Sequence, residues 1–219
     1  MKVLIASSNP GKLRDFAAAA SLHDVQAELL PGFRELPEVV EDGRSFAENA
    51  RKKSEHYSRY AAGELVLADD SGLEVDALGG APGIHSARYA AMRGEGLGSP
   101  CHERNLHLEP NNTISVDAAN NAALLRELAR VGDDRRQARF LCVISAAKDG
   151  HEVATFRGEA EGVLLHVPRG SNGFGYDPLF FFPPLAKTFA ELSPEQKAAV
   201  SHRGQALRAF LQWCAGGRG

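Results

Sequence analysis

Two adjacent carboxylates, Asp69 and Asp70, follow the apolar run 65–68 and precede Ser71 and Gly72. Carboxylates beyond a buried strand can hold a hard cation through oxygen, or orient and deprotonate water. Neighbouring strand residues point to opposite faces, so one aspartate of the pair is expected to face a site directly. A second group, Ser7-Ser8-Asn9-Pro10-Gly11-Lys12, separates an apolar strand from a helix-forming stretch. A helix N-terminus favours anions, Lys12 adds charge, and Ser7 and Asn9 offer donors, so this turn suits phosphate. It is not a P-loop, because the leading glycine is missing and Leu13 follows the lysine.

Gly173-Phe174-Gly175-Tyr176-Asp177-Pro178 forms a third group. Its glycines permit close backbone approach, and Phe174 and Tyr176 offer flat faces. Asp177 can accept from ring N–H or amine groups, a combination that suits a purine. Near the end of the chain, Lys197 and Ser201 lie four apart on one helical face, followed by His202 and Arg203. The Arg203 fork suits carbonyl or phosphate oxygens. An acidic stretch with Glu35, Glu38, Glu41 and Asp42 becomes chemically relevant only if it folds toward Asp70. His102 and His107 are five apart rather than four, so they do not form the helix-face zinc pair of HExxH.

The elements that must position these groups follow from periodicity and punctuation. Strands are expected over 3–6, 25–30 and 65–68, and helices over 12–20 and from the Ser45/Glu48 capping box to about 61. Alternation of Leu73, Val75 and Ala77 with Glu74 and Asp76 predicts a strand with one wet face. Residues 79–83 read as a rigid turn and 92–116 as a long loop. A helix is expected over 117–131 with Asp117 as N-cap, then strands over 138–146 and 153–165 around Lys148-Asp149-Gly150. A glycine-rich loop covers 170–178 and a strand 179–182. A last helix starts at Ser193-Pro194, is broken or kinked near 201–204, and ends near 214 before a frayed tail over 216–219. Strands alternating with helices place the chain in the α/β class.

The 219 residues suit one domain or two tight lobes. Hydrophobic residues at 43% and charged residues at 24% exclude a disordered chain. A formal net charge of −3 excludes a generally basic nucleic-acid coat, so no nucleic-acid partner is expected. Cys101, Cys142 and Cys214 form no CxxC and no even framework, which predicts reduced thiols and a cytoplasmic protein. No apolar run approaches the ~18 residues of a membrane span, so no membrane partner is expected either.

The blocks SSNPGK, SFAENA, LADDSGLEVDALGGAPGIHSARYA, GFGYDP and KAAVSHRGQAL stand in the order seen in the inosine triphosphate pyrophosphatase family, the dITP/XTP diphosphatases. The resemblance runs from about Lys2 to Leu211. It implies an elongated mixed β-sheet flanked by helices, in two lobes with a central cleft, and a homodimer. It implies Mg²⁺-dependent hydrolysis of dITP, ITP and XTP to the monophosphate and pyrophosphate. By motif, Ser7 through Lys12, including Ser8, Pro10 and Gly11, resemble the triphosphate-binding turn. Asp70 resembles the metal-binding and proton-accepting carboxylate, and Ser71 a substrate contact beside it. Phe174, Gly175, Tyr176 and Asp177 resemble the base-holding loop, and Lys197, His202 and Arg203 the remaining base and phosphate contacts. Relatives often read EETG where this chain has Val40-Glu41-Asp42-Gly43, so the second metal-side carboxylate is Glu41 or Glu38. Residues 91–116 are an insertion relative to the family. Two rivals are a non-catalytic nucleotide sensor, which Asp69-Asp70 argue against, and a Maf-like pyrophosphatase for modified pyrimidines, which SHRGQAL and GFGYDP argue against.

Overall fold

A computed structural model describes residues 2–20, 25–94 and 115–216. Most of the expected long loop and insertion, with Cys101, His102 and His107, therefore lies outside the described residues, as does the expected tail beyond Gly216.

The elements are β1 (Lys2–Ile5), α1 (Pro10–Ala20), β2 (Gln26–Leu29), α2 (Phe46–Ser58), β3 (Val66–Val75), α3 (Tyr89–Met92) and α4 (Val116–Glu127), then β4 (Gln137–Lys148), β5 (His151–Leu164), β6 (Phe180–Phe182), β7 (Lys187–Thr188), α5 (Pro194–Val200) and α6 (His202–Ala215). The strands hydrogen-bond in the order β2-β1-β3-β4-β5-β6-β7. The sheet is mixed: β1 is parallel to β2 and β3, whereas β6 is antiparallel to β5 and β7. The chain divides into two compact units. The first is Met1–Ser71, Arg139–Glu161 and Leu192–Gly219; the second is Gly72–Ala138 and Gly162–Glu191.

In the first unit, strand alternation sorts the core onto two faces. Val3 and Ile5 of β1 and Leu67 of β3 pack with Phe16 of α1 and with Ala198, Leu207 and Phe210 of α5 and α6. Leu4, Ala6, Val66 and Ala68 point the other way, onto Leu30 and Tyr57 of α2. The parallel strands are thus covered on both sides, which is why they read as continuous apolar runs. The β4–β5 hairpin turns on Asp149 and Gly150, both at positive φ (51° and 87°), as a two-residue turn with a right-handed strand twist requires.

The second unit has its own buried set, including Leu73, Val75, Leu124, Leu128, Leu164, Leu179 and Phe180. Arg136 is buried there with its guanidinium on the carbonyls of Leu128, Leu164 and Leu165.

Two expectations are corrected. The strand expected over 65–68 and the alternating strand expected at Leu73, Val75 and Ala77 are one ten-residue strand, β3, with Asp69-Asp70-Ser71-Gly72 in its middle, and it ends at Val75. Polar residues that look like turn chemistry stay extended here because buried cations partner the aspartates. The N-cap of α4 is Ser115, whose Oγ accepts from Ala118 N at 3.2 Å, and not Asp117, whose carboxylate is used elsewhere. The break expected near 201–204 is present: Ser201 is extended (φ −74°, ψ 158°) and serves as C-cap of α5 and N-cap of α6.

Candidate functional site

The paired register of β1 and β3 ends at Ile5↔Leu67, with Ala6 N donating to Leu67 O at 2.8 Å. Beyond it the first chain turns into α1 while β3 continues. Asp69 and Asp70 therefore emerge at the carboxyl end of β1, where α/β sheets gather ligands. The turn itself is ordered by Asn9, whose Oδ1 accepts from Gly11 N at 2.8 Å and from Lys12 N at 3.1 Å. Ser7 Oγ accepts from Asn9 N at 3.3 Å. These oxygens cap the helix rather than face outward, so the first amides of α1 are already satisfied. Ser8, Asn9 and Pro10 are exposed, and Lys12 reaches inward.

Strand alternation sends the two aspartates to different partners. Asp69 (3% exposed) faces the α1 and α6 side, with Lys12 Nζ at 2.9 Å and Arg203 Nε at 3.6 Å from its Oδ2. Ser71 Oγ donates to the same oxygen at 3.1 Å. Asp70 (7% exposed) faces α2: Asn49 Nδ2 donates to Oδ2 at 3.1 Å, and Lys53 Nζ lies 3.4 Å from Oδ1. Lys53 also pairs with Glu41 at 3.2 Å, so Glu41 and Asp70 converge on one ammonium. Glu38 is exposed.

These environments push the two acids apart. Burial raises the Asp69 carboxyl, but Lys12, Arg203 and Lys53 overcome it and bring it down to about 2. Burial also raises Asp70, and there Lys53, Lys12 and the Asn49 hydrogen bond only partly offset it, so Asp70 stays above the usual carboxylate value. Asp69 is a fixed anion that holds cations in place. Asp70 is the more basic neighbour, suited to accepting a proton. Burial opposes the charge on Lys53, yet Asp70, Asp69 and Glu41 more than compensate and raise it, so it is cationic.

Lys197, His202 and Arg203 are all buried in this unit. Arg203 (2% exposed) donates to Asp15 Oδ2 at 2.6 Å and to Ser71 Oγ at 2.7 Å. Lys197 Nζ lies 3.3 Å from the same Asp15 oxygen. His202 stacks on Phe140, with ring centroids 4.7 Å apart and planes within 9°. Burial, then Arg203, Lys197 and Lys12, lower its pKa well below the usual histidine value, so its imidazole is neutral.

The loop with Phe174 to Asp177 belongs to the second unit. Tyr176 is buried and its hydroxyl donates to Ser86 O at 2.9 Å. Asp177 is buried and its Oδ2 accepts from Phe174 N at 2.9 Å. Of the two rings expected to offer a face, Phe174 is the partly exposed one.

Sequence reasoning missed Asp15, Asn49 and Lys53, and gave Asp69 no role of its own. Spacing was the available signal: Asp15 follows Lys12 by three on α1, and Lys53 follows Asn49 by four on α2, each pair on one helical face. Among the described residues, no three His, Cys, Asp or Glu side chains gather into a metal cage. Asp70 with Glu41 is the oxygen pair on hand. Such a pair is ordinary for Mg²⁺, which takes one or two carboxylates and completes its shell with water and substrate phosphates. The charges also fit: Lys12, Lys53, Lys197 and Arg203 are matched by Asp15, Asp69, Asp70 and Glu41, so an entering polyanion needs added positive charge.

A mixed α/β sheet carries a capped strand-to-helix turn and buried ammonium and guanidinium groups beside two aspartates, groups whose chemistry suits phosphate oxygens. The model of the Ham1 family matches residues 3–213, and the chain belongs to that family. A dITP/XTP pyrophosphatase of Acidobacterium capsulatum is 47% identical over 211 residues, covering 96% of this chain and 97% of that one. Another, of Syntrophobacter fumaroxidans, is 48% identical and covers 94% of this chain and 78% of its own. The Staphylococcus aureus Ham1 protein superposes with a TM-score of 0.75 at 38% identity, covering 99% of both chains. A HAM1 protein from Coxiella burnetii gives 0.76 at 34%, covering 99% of this chain and 100% of that one.

Proposed function

We propose that this chain is a nucleoside triphosphate pyrophosphatase that hydrolyses dITP, ITP and XTP to the monophosphate and pyrophosphate. The observation that carries this reading is the pair Asp69 and Asp70, turned by strand alternation onto different partners, Lys12 and Arg203 for one and Asn49 and Lys53 for the other, beside the Asn9–Lys12 turn. Relatives named dITP/XTP pyrophosphatase support the substrate class.

Lys12 and Lys53 bind phosphate oxygens, with the hydroxyl of exposed Ser8 and the Nδ2 amide of Asn9 as further donors. Asp70 takes a proton from water as its oxygen attacks the α-phosphorus; the bond to the β-phosphate oxygen breaks and pyrophosphate leaves. Asp70 and Glu41 would hold Mg²⁺, which supplies neutralisation of charge on the leaving group. Asp69 keeps Lys12 and Arg203 in position, and Ser71 links Arg203 to that carboxylate.

The loop over 174–177 is assigned to the base by family likeness, with Phe174 as its partly exposed ring. Selectivity turns on purine position 6, a carbonyl in hypoxanthine and xanthine and an amine in adenine. A donor that satisfies the carbonyl faces the amine unpaired, which costs roughly 1–3 kcal/mol per mismatch. Lys197 and Arg203 support the substrate through the Asp15 network. The same likeness supports a homodimer, and three cysteines with no CxxC and no even framework support a reducing, cytoplasmic setting. No helix among the described residues is long and apolar enough to cross a membrane.

The test is pyrophosphate release from dITP, XTP, ITP, dATP, dGTP and modified pyrimidine triphosphates, with Mg²⁺ and with excess chelator. Turnover of dITP and XTP that is lost on chelation is expected. Binding without turnover would favour a sensor, and preference for a modified pyrimidine would favour the Maf-like rival.

A further inference from the structure

We infer that Asp117 and Asn121 of α4 are positioning residues for purine selection, clamping the backbone of Gly175 from both sides. The inference rests on the reading that the loop over 174–177 holds the base. Asp117 Oδ2 accepts from Gly175 N at 2.7 Å, and Asn121 Nδ2 donates to Gly175 O at 2.8 Å. One glycine thus has its N–H and its C=O both held by side chains of a single helix. The two residues are four apart, one helical turn, so their side chains share a face.

The clamp comes at a cost elsewhere in the same side chain. Asn121 Nδ2 also donates to Asp117 O at 2.8 Å, so both amide hydrogens go to carbonyls. That fixes which end of the amide is nitrogen. It leaves Oδ1 buried with no hydrogen-bond partner among the described residues, in a residue 9% exposed. A buried unsatisfied acceptor is unfavourable. Asparagine at this position is explained by what its two donors hold.

Gly175 sits at φ +59°, a left-handed conformation that glycine adopts without strain. Within 174–177 it is the one residue without a side chain to anchor it, and its backbone is what the helix grips. On the other side, Asp177 Oδ2 fixes Phe174 N, and Tyr176 is tethered through its hydroxyl to Ser86 O. Phe174 stands between these anchors as the loop's partly exposed ring. Releasing Gly175 frees the peptide that follows Phe174, and with it the ring's orientation. A base that stacks on a freed ring must order it on binding.

The test compares Asp117→Ala, Asn121→Ala and Asp117→Asn, with Phe174→Ala as a control for the base reading. Asp117→Asn keeps an oxygen acceptor for Gly175 N. Expected is a KM for dITP raised about tenfold in both alanine variants, a loss typical of one hydrogen bond to a charged or fixed group, with kcat within about threefold. Asp117→Asn should recover most of the loss. Hydrogen exchange at the Gly175 amide should speed up in Asp117→Ala and not in Asp117→Asn. General destabilisation lowers the active fraction and hence apparent kcat, and does not produce this KM-against-kcat split. If Asp117→Ala does not fold, Asn121→Ala carries the kinetic comparison alone. Unchanged KM in the folded clamp variants, with a raised KM in Phe174→Ala, overturns the positioning role and leaves the base loop standing. Unchanged KM in Phe174→Ala as well overturns the base reading and the clamp's role with it.

Discussion

Asp69 and Asp70 are covalent neighbours whose acid strengths diverge because a strand sends them to different partners. The Asp69 carboxyl falls from 3.8 to about 2, which stabilises the fold above pH 3.8 and is lost as pH drops through about 2. The shift corresponds to about 2 kcal/mol at neutral pH. Asp69→Asn should therefore lower stability by about that amount at pH 7, with the gap to the parent narrowing between pH 3.8 and 2 in denaturant titrations. Asp70→Asn should retain the fold and lose at least about a hundredfold in kcat on dITP, since it removes a proton acceptor and a metal-side charge. Arg203 is committed to Asp15, Ser71 and Asp69, which both dITP and dATP would meet alike. Arg203→Lys should thus lower kcat/KM for both and leave their ratio unchanged, against the direct base reading that its donor fork first suggested. A collapse of the ratio in that variant would restore the base-reading role. Asp70, Lys12 and Arg203 were legible as chemical groups in the sequence. Their partners were not, because Asp15, Asn49 and Lys53 look like ordinary polar positions of amphipathic helices until the helices are packed.

The α5–α6 junction sets Lys197 and Arg203 on the same Asp15 oxygen. Ser201 makes the break: its N donates to Lys197 O at 2.8 Å and its Oγ accepts from Gly204 N at 3.2 Å. Ser201→Ala should cost about 1 kcal/mol of stability, the usual value of a lost cap, read as a shift in the denaturation midpoint. Gly204 lies so close to Ala198 O that a Cβ would overlap it. Gly204→Ala should cost more, about 1–3 kcal/mol, and should also lower activity, because the junction must open and separate Lys197 from Arg203. Wild-type activity with unchanged stability would show that the junction tolerates movement. The starts of α2 and α5 were legible because their caps are local: Ser45 accepts from Glu48 N and Ser193 forms a full capping box, whereas at α4 Ser115 caps in place of the expected Asp117. β3 was only half legible. Aspartate, serine and glycine carry turn propensity, and their extended conformation is imposed by cations that arrive from elements far along the chain.

At the scale of the molecule, family membership covers residues 3–213 and the α/β class was readable from alternating strands and helices. Strand order was not readable, since register depends on pairings between distant segments. The central claim concerns where the chain breaks the triphosphate and with which group. The direct measurement is hydrolysis of dITP in ¹⁸O-water by the parent and by Asp70→Asn, with products resolved by mass spectrometry. Attack on the α-phosphorus predicts one ¹⁸O in dIMP, unlabelled pyrophosphate, and near-complete loss of both products in Asp70→Asn. Label in pyrophosphate or in inorganic phosphate, or undiminished turnover by Asp70→Asn, would contradict it.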